Sequence, residues 1–556
     1  MAPLSGMMPL HLLPAPSLGH RALHTFGVDP RSFQLILITI IKPPLIITPL
    51  LLLLAISGSA TFGQTSIADP VPPVESSRTF VWKRDFAVIP PSASGRPLAR
   101  INQVEPFSAK NGWLGVNDLN GPLYMLNYQG AVQLYLDLEE IFPQFRKSPG
   151  LGTGFTSFAA HPDFDENGIF YTAHTEAGNS GTPTIPLPQP VNAALQGVLV
   201  EWTATDPEAP VFSGTRREVL RIDLTGTIHG FQEIAFRPDI PEDNPDYGLL
   251  FICIGEAQTL QRGPLANIGT PESPLGTLFR IDPRGSNGPD GQYGIPPDNP
   301  FTGQPDALGE IWAYGFRNPH RIAWNNRTGN ILLTDIGERQ IEELNLIEPG
   351  RNYGWPVREG PFVLNPEGNT DVVFPLPEDD EGFTYPVAMY DHDDGFAIAG
   401  GFIYRNDRIP ALKDRFLASD VRSGRLWMVP AGELQQGSTT PFLRWFMRDG
   451  NGIINPLQMV GSSNRTDLRI GEDHFGEIYI LTKQDGAIRK LIGEDEPQSG
   501  YGIFEGYPWS DHWVDTGGFM GWVNVLHYPW SWVDALGGFV HAAPSDSPSG
   551  WVYRPR

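Results

Sequence analysis

In EIWAYGFRNPHRIAWN, residues 310–325, an apolar strand-like run ends in a cation and an amide, Arg317 and Asn318. Pro319 fixes the backbone directly after them, and two more basic residues, His320 and Arg321, come next. A guanidinium keeps its charge and offers planar donors, which suits an oxygen that turns negative during a reaction. His229 in GTIHGFQEIAFRPD is a second candidate, because histidine is the usual base where a proton is taken near neutral pH. The segment DIGERQIEELN gathers acids, and the segments SDVRSGRLW and NRTDLRIGED add Arg422, Arg465 and Arg469. Each has an ordinary reading as well: an arginine paired with an acidic loop, a histidine in a surface turn, a solvated acidic turn. YDHDDG (390–395) reads more readily as a solvated hairpin turn than as a metal site. No GxSxG elbow, P-loop or HExxH motif points to another chemistry.

The elements that must position these residues are strands. Gly (61) and Pro (55) are abundant, aromatics reach 11%, and helical periodicity is scarce, so the chain of 556 residues reads as all-β and rich in turns. Turn residues followed by short alternating runs recur at 121–127, 167–173, 329–337, 424–429 and 476–482, each predicting a strand with one buried face. Their irregular recurrence from about 100 to 493 suits a β-propeller with loop insertions better than a pair of sandwiches. Two long polar loops, 178–197 and 366–382, fit the rim of such a fold. The single cysteine, Cys253, lies in the apolar run GLLFICIGE, where a buried strand residue is expected, and leaves no internal disulfide framework.

Net charge of −24 argues against nucleic acid or anionic lipid as a partner, because both are bound through basic patches. Near the N-terminus, Lys42 precedes about fourteen mostly apolar residues and then small ones up to Ala60. That is a signal-peptide pattern, too short for a comfortable membrane span, so residues 1–60 are set apart as a targeting segment and the mature protein is expected in the periplasm or outside the cell, without a stable membrane span. The expected propeller occupies 78–493, a polar linker 494–500, and a Trp-rich module 501–556 that holds six of the fourteen tryptophans.

The segments GTGFTSFAAHPDFDENGIFYTAHTE, PLGTLFRIDPRG, EIWAYGFRNPHRIAWN, TDIGERQIEELNLIEPGRNYGWP and FGEIYILTKQDGAIRKL resemble, in order, the soluble pyrroloquinoline-quinone (PQQ)-dependent sugar dehydrogenases. This is the glucose/sorbosone dehydrogenase family, which includes aldose sugar dehydrogenases and a hedgehog-interacting-protein-like branch; the likeness runs from about Arg100 to Leu491. The resemblance implies a six-bladed β-propeller carrying PQQ and a calcium ion on one face. It implies that Arg317 meets the quinone carbonyl, with Asn318 as a neighbouring cofactor contact, and that His229 is the catalytic base, oriented by Glu256. It places the carbonyls of Gly337 and Glu338 on calcium, and Glu342, Glu343 and Tyr353 near a second, structural calcium. Arg422, Arg465 and Arg469 stand at the positions expected to neutralise the three carboxylates of PQQ. HGFQ sets Phe231 and Gln232 against the cofactor face.

On this reading the chain is an exported PQQ- and calcium-dependent oxidoreductase that oxidises an aldose at the anomeric carbon to the lactone and passes electrons to an external acceptor. The alternative is a propeller that keeps the fold and binds carbohydrate or another surface ligand without turnover. Arg317, Asn318 and His229 favour the enzyme, and HGFQ favours the binder.

Overall fold

The chain is all-β and propeller-like in this computed structural model, which describes residues 65–150 and 152–493 and strands between 509 and 553. The targeting segment 1–60 and the linker 494–500 lie outside the described residues. The first strand, β1 (Glu75–Val88), begins shortly before the expected boundary at 78. Four separate antiparallel meanders come after it. They are β2 (Ile101–Ser108), β3 (Trp113–Asp118), β4 (Pro122–Leu126) and β5 (Val132–Asp137); then β6 (Phe155–Ala160), β7 (Ile169–Ala177), β8 (Leu195–Ala204) and β9 (Gly214–Leu224). The third is β10 (Phe231–Phe236), β11 (Leu250–Ile254), β12 (Thr277–Ile281) and β13 (Ile311–Tyr314); the fourth is β14 (Pro319–Asn325), β15 (Asn330–Asp335), β16 (Ile341–Ile347) and β17 (Ala388–Asp391).

A fifth sheet has nine strands: β18 (Ile398–Tyr404), β19 (Arg415–Asp420), β20 (Leu426–Pro430), β21 (Leu443–Asp449), the short β22 (Gly452–Ile453), β23 (Leu468–Glu472), β24 (Ile478–Thr482), β25 (Ala487–Ile492) and β1. Here β1 joins two meanders, pairing parallel with β21 and antiparallel with β25. The first strand of each meander touches the first strand of the next, and the series β2, β6, β10, β14, β18, β23 closes on itself around an axis. Antiparallel order then puts the connection into each of these inner strands, and the turn between the second and third strands, at one end of the ring.

All five alternating runs read from the sequence form strands, β4, β7, β15, β20 and β24, but their burial does not alternate: Pro122–Leu126 and Ile478–Thr482 are buried throughout. The reason is stacking of sheet on sheet, so that both faces of a strand meet a hydrophobic core. Between the first two meanders that core is aromatic (Phe107, Phe155, Phe170, Trp202); between the third and fourth it holds Phe251, Cys253, Leu278 and Leu333. The two long loops are packed as well, with Ile185 and Leu187 of one and Val373 of the other inside the core between the second and third meanders.

Residues ahead of β1 dock on the same end of the ring. Ile67 bridges Val373, and the Val71 and Val74 N–H groups donate to the carboxylates of Asp391 (3.3 Å) and Asp394 (2.6 Å). YDHDDG is therefore a turn whose acids hold backbone. Beyond the linker, β26 (Trp509–Ser510), β27 (Trp513–Asp515), β28 (Trp522–Asn524), β29 (Trp530–Val533), β30 (Gly538–Ala543) and β31 (Trp551–Tyr553) pair consecutively with one another as a separate sheet.

Candidate functional site

Arg317 lies in the connection from β13 to β14, which doubles back through Gly315. That glycine has φ +82°, and an added Cβ would stand 2.0 Å from Asn352 Oδ1 and 2.8 Å from the Tyr353 nitrogen, so only glycine allows the turn. Asp335 at the end of β15 fixes the two residues after Phe316, accepting from the Arg317 N–H at 3.0 Å and the Asn318 N–H at 2.6 Å. The Arg317 guanidinium is held on every side: Nε and Nη2 donate to Glu338 Oε2 (2.9 and 2.6 Å), and Nη1 donates to the carbonyls of Ile336 and Gly337 (3.1 and 2.6 Å). It also stands 5.8 Å from the Trp355 ring. Glu338 is itself anchored, because one Glu359 oxygen collects the N–H groups of Glu338, Arg339, Gln340 and Ile341 at 2.7–3.1 Å.

His229 lies in the connection from β9 to β10 and Glu256 in the one from β11 to β12, both at the same end of the ring as Arg317. His229 Nδ1 lies 3.2 Å from Glu256 Oε1, and the Glu256 N–H donates to the Arg317 carbonyl at 2.8 Å, which ties histidine, glutamate and arginine together. His229, Ala257 and Gln258 adopt φ of +59°, +54° and +58°, a left-handed conformation that costs L-residues energy and tends to persist where function fixes it. Burial lowers the His229 pKa, the Arg317 charge lowers it further, and Glu256 only partly offsets both, so the ring is neutral near pH 7. Burial pushes the Glu256 carboxyl up, but His229, Arg317 and the Leu260 N–H together bring it below its ordinary value. An ionised Glu256 requires His229 Nδ1 to be the donor, which leaves Nε2 with a free lone pair.

Below this unit lies a set of buried basic side chains whose counter-charges are Glu233 and Asp467, the latter already paired with Arg465. Arg321, Arg469, Lys483 and His320 are between 4% and 6% exposed. Lys483 Nζ donates to Asn102 Oδ1 at 2.9 Å; Arg321 donates to the carbonyls of His320 and Asn102 and lies 3.6 Å from Glu233. Arg469 Nε, His320 Nδ1 and Asn318 Oδ1 are buried without a partner. Burial, then Arg321, pulls the Arg469 pKa down to about 9; burial and Arg469 take Lys483 well below its ordinary value, and burial with Arg321, Arg469 and Lys483 does the same to His320. Burying like charges together is unfavourable unless an anion joins them.

The structure thus brings together His229, Glu256, Arg317, Asn318, Gly337, Glu338 and Arg469. Arg465 stands at the margin, paired with Asp467 and 37% exposed, and Arg422 is exposed, its guanidinium 4.4 Å from the Phe396 ring. Phe231 turns into the hydrophobic core at 1% exposure and not to the cofactor face, while Gln232 stays buried beside the cations and offers its carbonyl to Arg321. Lys483 and Arg321, which the sequence does not single out for the site, also lie in it. Lys483 ends the run GEIYILTK at the same end of the ring as Arg317, a position that strand counting alone could have flagged.

The residues expected around calcium do not form a cage. Glu342 binds His392 (3.0 Å) and the Ile398 N–H (2.7 Å), Glu343 binds Asn345 (2.9 Å) and the Gly360 N–H (2.6 Å), and the Tyr353 hydroxyl donates to the Leu346 carbonyl (2.7 Å). The Gly337 carbonyl accepts from Arg317 and keeps a second lone pair beside the Glu338 carbonyl, while among the described residues no group of three or more His, Cys, Asp or Glu is placed to hold a metal. A tricarboxylate quinone fits the orphaned Arg469 Nε and His320 Nδ1 and the excess of basic groups around Lys483.

The sequence profile of the Glucose / Sorbosone dehydrogenase family matches residues 117–490. The chain belongs to this family. HIPL1 protein of Arabidopsis thaliana is 28% identical over 378 residues, covering 59% of this chain and 52% of the relative. Aldose sugar dehydrogenase YliI of Escherichia coli is 32% identical over 242 residues, covering 43% of this chain and 54% of the relative. The chain spans about half the length of the curated relatives it matches. The soluble aldose sugar dehydrogenase of Escherichia coli in its apo form has the same fold, with TM-score 0.50 at 20% identity over 74% of this chain and 99% of that one. So has the PQQ-bound aldose sugar dehydrogenase of Streptomyces coelicolor, with TM-score 0.50 at 20% identity over 76% and 99%. For this glucose/sorbosone dehydrogenase family member, the strained His229–Glu256 pair above buried cations is the candidate active site.

Proposed function

We propose that the chain is a PQQ-dependent sugar dehydrogenase that oxidises an aldose at its anomeric carbon to the lactone. The observation that carries this is the buried basic set of Arg321, Arg469 and Lys483, with His320 among them, beneath a neutral histidine. A bound orthoquinone supplies the acceptor for the hydride leaving the anomeric carbon. His229 Nε2 takes the hydroxyl proton of the sugar, and Glu256 holds the ring in the tautomer that frees that nitrogen and stabilises the imidazolium. Arg317, immobilised by Glu338, keeps a permanent positive charge beside the pair. Lys483, Arg469 and Arg321 would hold the carboxylates. The proposal includes a calcium ion, supported by the family likeness. The carbonyls of Gly337 and Glu338 would hold it, and it would polarise the quinone, whereas Glu342, Glu343 and Tyr353 are committed to other partners.

The same reading takes the fold as six-bladed, supported by the closed series of inner strands and by β1 completing a blade with β23–β25. It also takes the mature protein as exported, on the strength of the apolar segment before Ala60, and its partners as a small aldose and an external electron acceptor. One observation favours a binder without turnover: each Arg317 guanidinium nitrogen already donates within the chain. The test is titration of PQQ into the purified protein by tryptophan fluorescence, followed by dye reduction over a panel of aldoses. Micromolar binding with turnover supports the enzyme, binding without turnover supports the binder, and no binding removes the oxidoreductase reading.

A further inference from the structure

A second cavity, of about 910 Å³, occupies the axis of the ring at the end opposite His229, lined by the inner strands β2, β6, β10, β14, β18 and β23. Arg321 separates it from the candidate active site, with its guanidinium spread over the carbonyls of Asn102 and His320. The four arginines in its wall already face acids: Arg237 pairs with Asp246 (2.8 Å), Arg327 and Arg405 share Asp414 (2.9 and 3.6 Å), and Arg321 lies 3.6 Å from Glu233. Glu105 of β2 and Glu472 of β23 face the same space, and among the described residues neither has a cation within ion-pair distance. Burial and the neighbouring Glu233 raise the Glu105 pKa to about 8 against the pull of Arg321; burial, Glu105, Asp239 and Asp473 raise Glu472 well above its ordinary value against Arg405. These are carboxyls that lack a counter-charge, in a space sized for a small organic molecule and too wide for a bare ion.

The remaining wall narrows the chemistry. Trp324 lines the cavity, is only 9% exposed, and its indole N–H has no acceptor in the chain. Phe107 and Phe475, the latter 44% exposed, add aromatic surface on which an ammonium group or the apolar face of a sugar ring can rest. We propose that this cavity is a binding site for a hydroxylated organic ammonium ion of the amino-sugar class, whose amine pairs with Glu105 and Glu472 and whose oxygen accepts from Trp324. Arg321, which the proposed function assigns to a cofactor carboxylate, borders both spaces, but Glu105, Glu472 and Trp324 belong to no part of the candidate active site, so the two readings can be tested apart.

The test is calorimetric titration of the full chain with D-glucosamine near neutral pH, in two buffers of different ionisation enthalpy. Saturable binding with proton release is expected, because an ammonium ion drives both carboxyls to ionise. Glu472→Gln and Glu105→Gln should each weaken binding by roughly tenfold or more, as for loss of a charged hydrogen bond, while His229→Gln should titrate like the wild type. N-acetylglucosamine, which has the ring without the charge, should fail to bind. Should a glutamate variant not fold, Trp324→Phe removes only the N–H and should still weaken binding. Absence of binding, equal affinity for the acetylated sugar, or glutamate and tryptophan variants indistinguishable from wild type would each overturn the proposal.

Discussion

Replacing Lys483 by methionine separates the cost of the buried cation set from its use. Lys483 lies among Arg469, Arg100 and Arg465, which Asp467 only partly offsets, with Asn102 as its hydrogen-bond acceptor. Exchanging a poorly compensated buried charge for an apolar side chain of similar length stabilises by about 1–4 kcal/mol. Taking about 2 kcal/mol, and an unfolding entropy near 2.1 cal/mol/K per residue over roughly 430 residues, Lys483→Met should raise Tm by about 2 °C. The sign with pH comes from the depressed folded pKa. Between that pKa and the unfolded value near 10.4 the unfolded chain binds the extra proton, so wild-type stability should climb as pH rises through this window, and the methionine variant should climb less. Binding inverts the order. Loss of one charge-assisted contact to a carboxylate should weaken PQQ by roughly 10–100-fold, about 1.5–3 kcal/mol. Denaturation monitored with and without saturating PQQ measures both. A variant that is less stable without ligand and unchanged in PQQ affinity would refute the view that these cations are arranged for an anion.

His229→Gln should leave PQQ binding within about twofold but lower turnover by roughly 10²–10⁴-fold, the share of a positioned base, as read by fluorescence titration beside dye reduction. Because burial and Arg317 lower the His229 pKa, wild-type kcat/KM should fall only on the acid side of histidine's ordinary value, near 6.5, and lie flat through neutrality; a limb at pH 7 or above would contradict the assignment. Gly315→Ala puts a Cβ 2.0 Å from Asn352 Oδ1 at φ +82° and should cost at least about 2 kcal/mol in a denaturant melt while displacing Arg317. Deleting 501–556, whose strands pair among themselves, should leave circular dichroism and PQQ affinity of the rest unchanged; unfolding of the whole chain would show the tail to be integral.

Local sequence settled the strands. Glycine turns and runs such as GEIYILT specify β4, β7, β15, β20 and β24 because backbone freedom and β-propensity act within a few residues. It also set the turn that carries Arg317 and Asn318, since Gly315 and Pro319 fix the backbone on either side; His229 and Glu256 were singled out through the family resemblance, and only the fold brings them beside Arg317. What a residue faces across the ring depends on packing. The alternation of Pro122–Leu126 predicted one wet face, and stacking of neighbouring sheets buried both. Arg422 and Arg469 look equivalent in the chain, yet one lies at the surface beside Phe396 and the other under His229, because the turn after β19 opens outward while β23 lines the axis. Glu342, Glu343 and Tyr353 read as a cluster in one dimension, and each is spent on a separate hydrogen-bond partner in three. Lys483 and Arg321 both meet Asn102 only when the ring closes, contacts across hundreds of residues that no local pattern encodes, even though strand order fixes the end of the ring at which Lys483 stands.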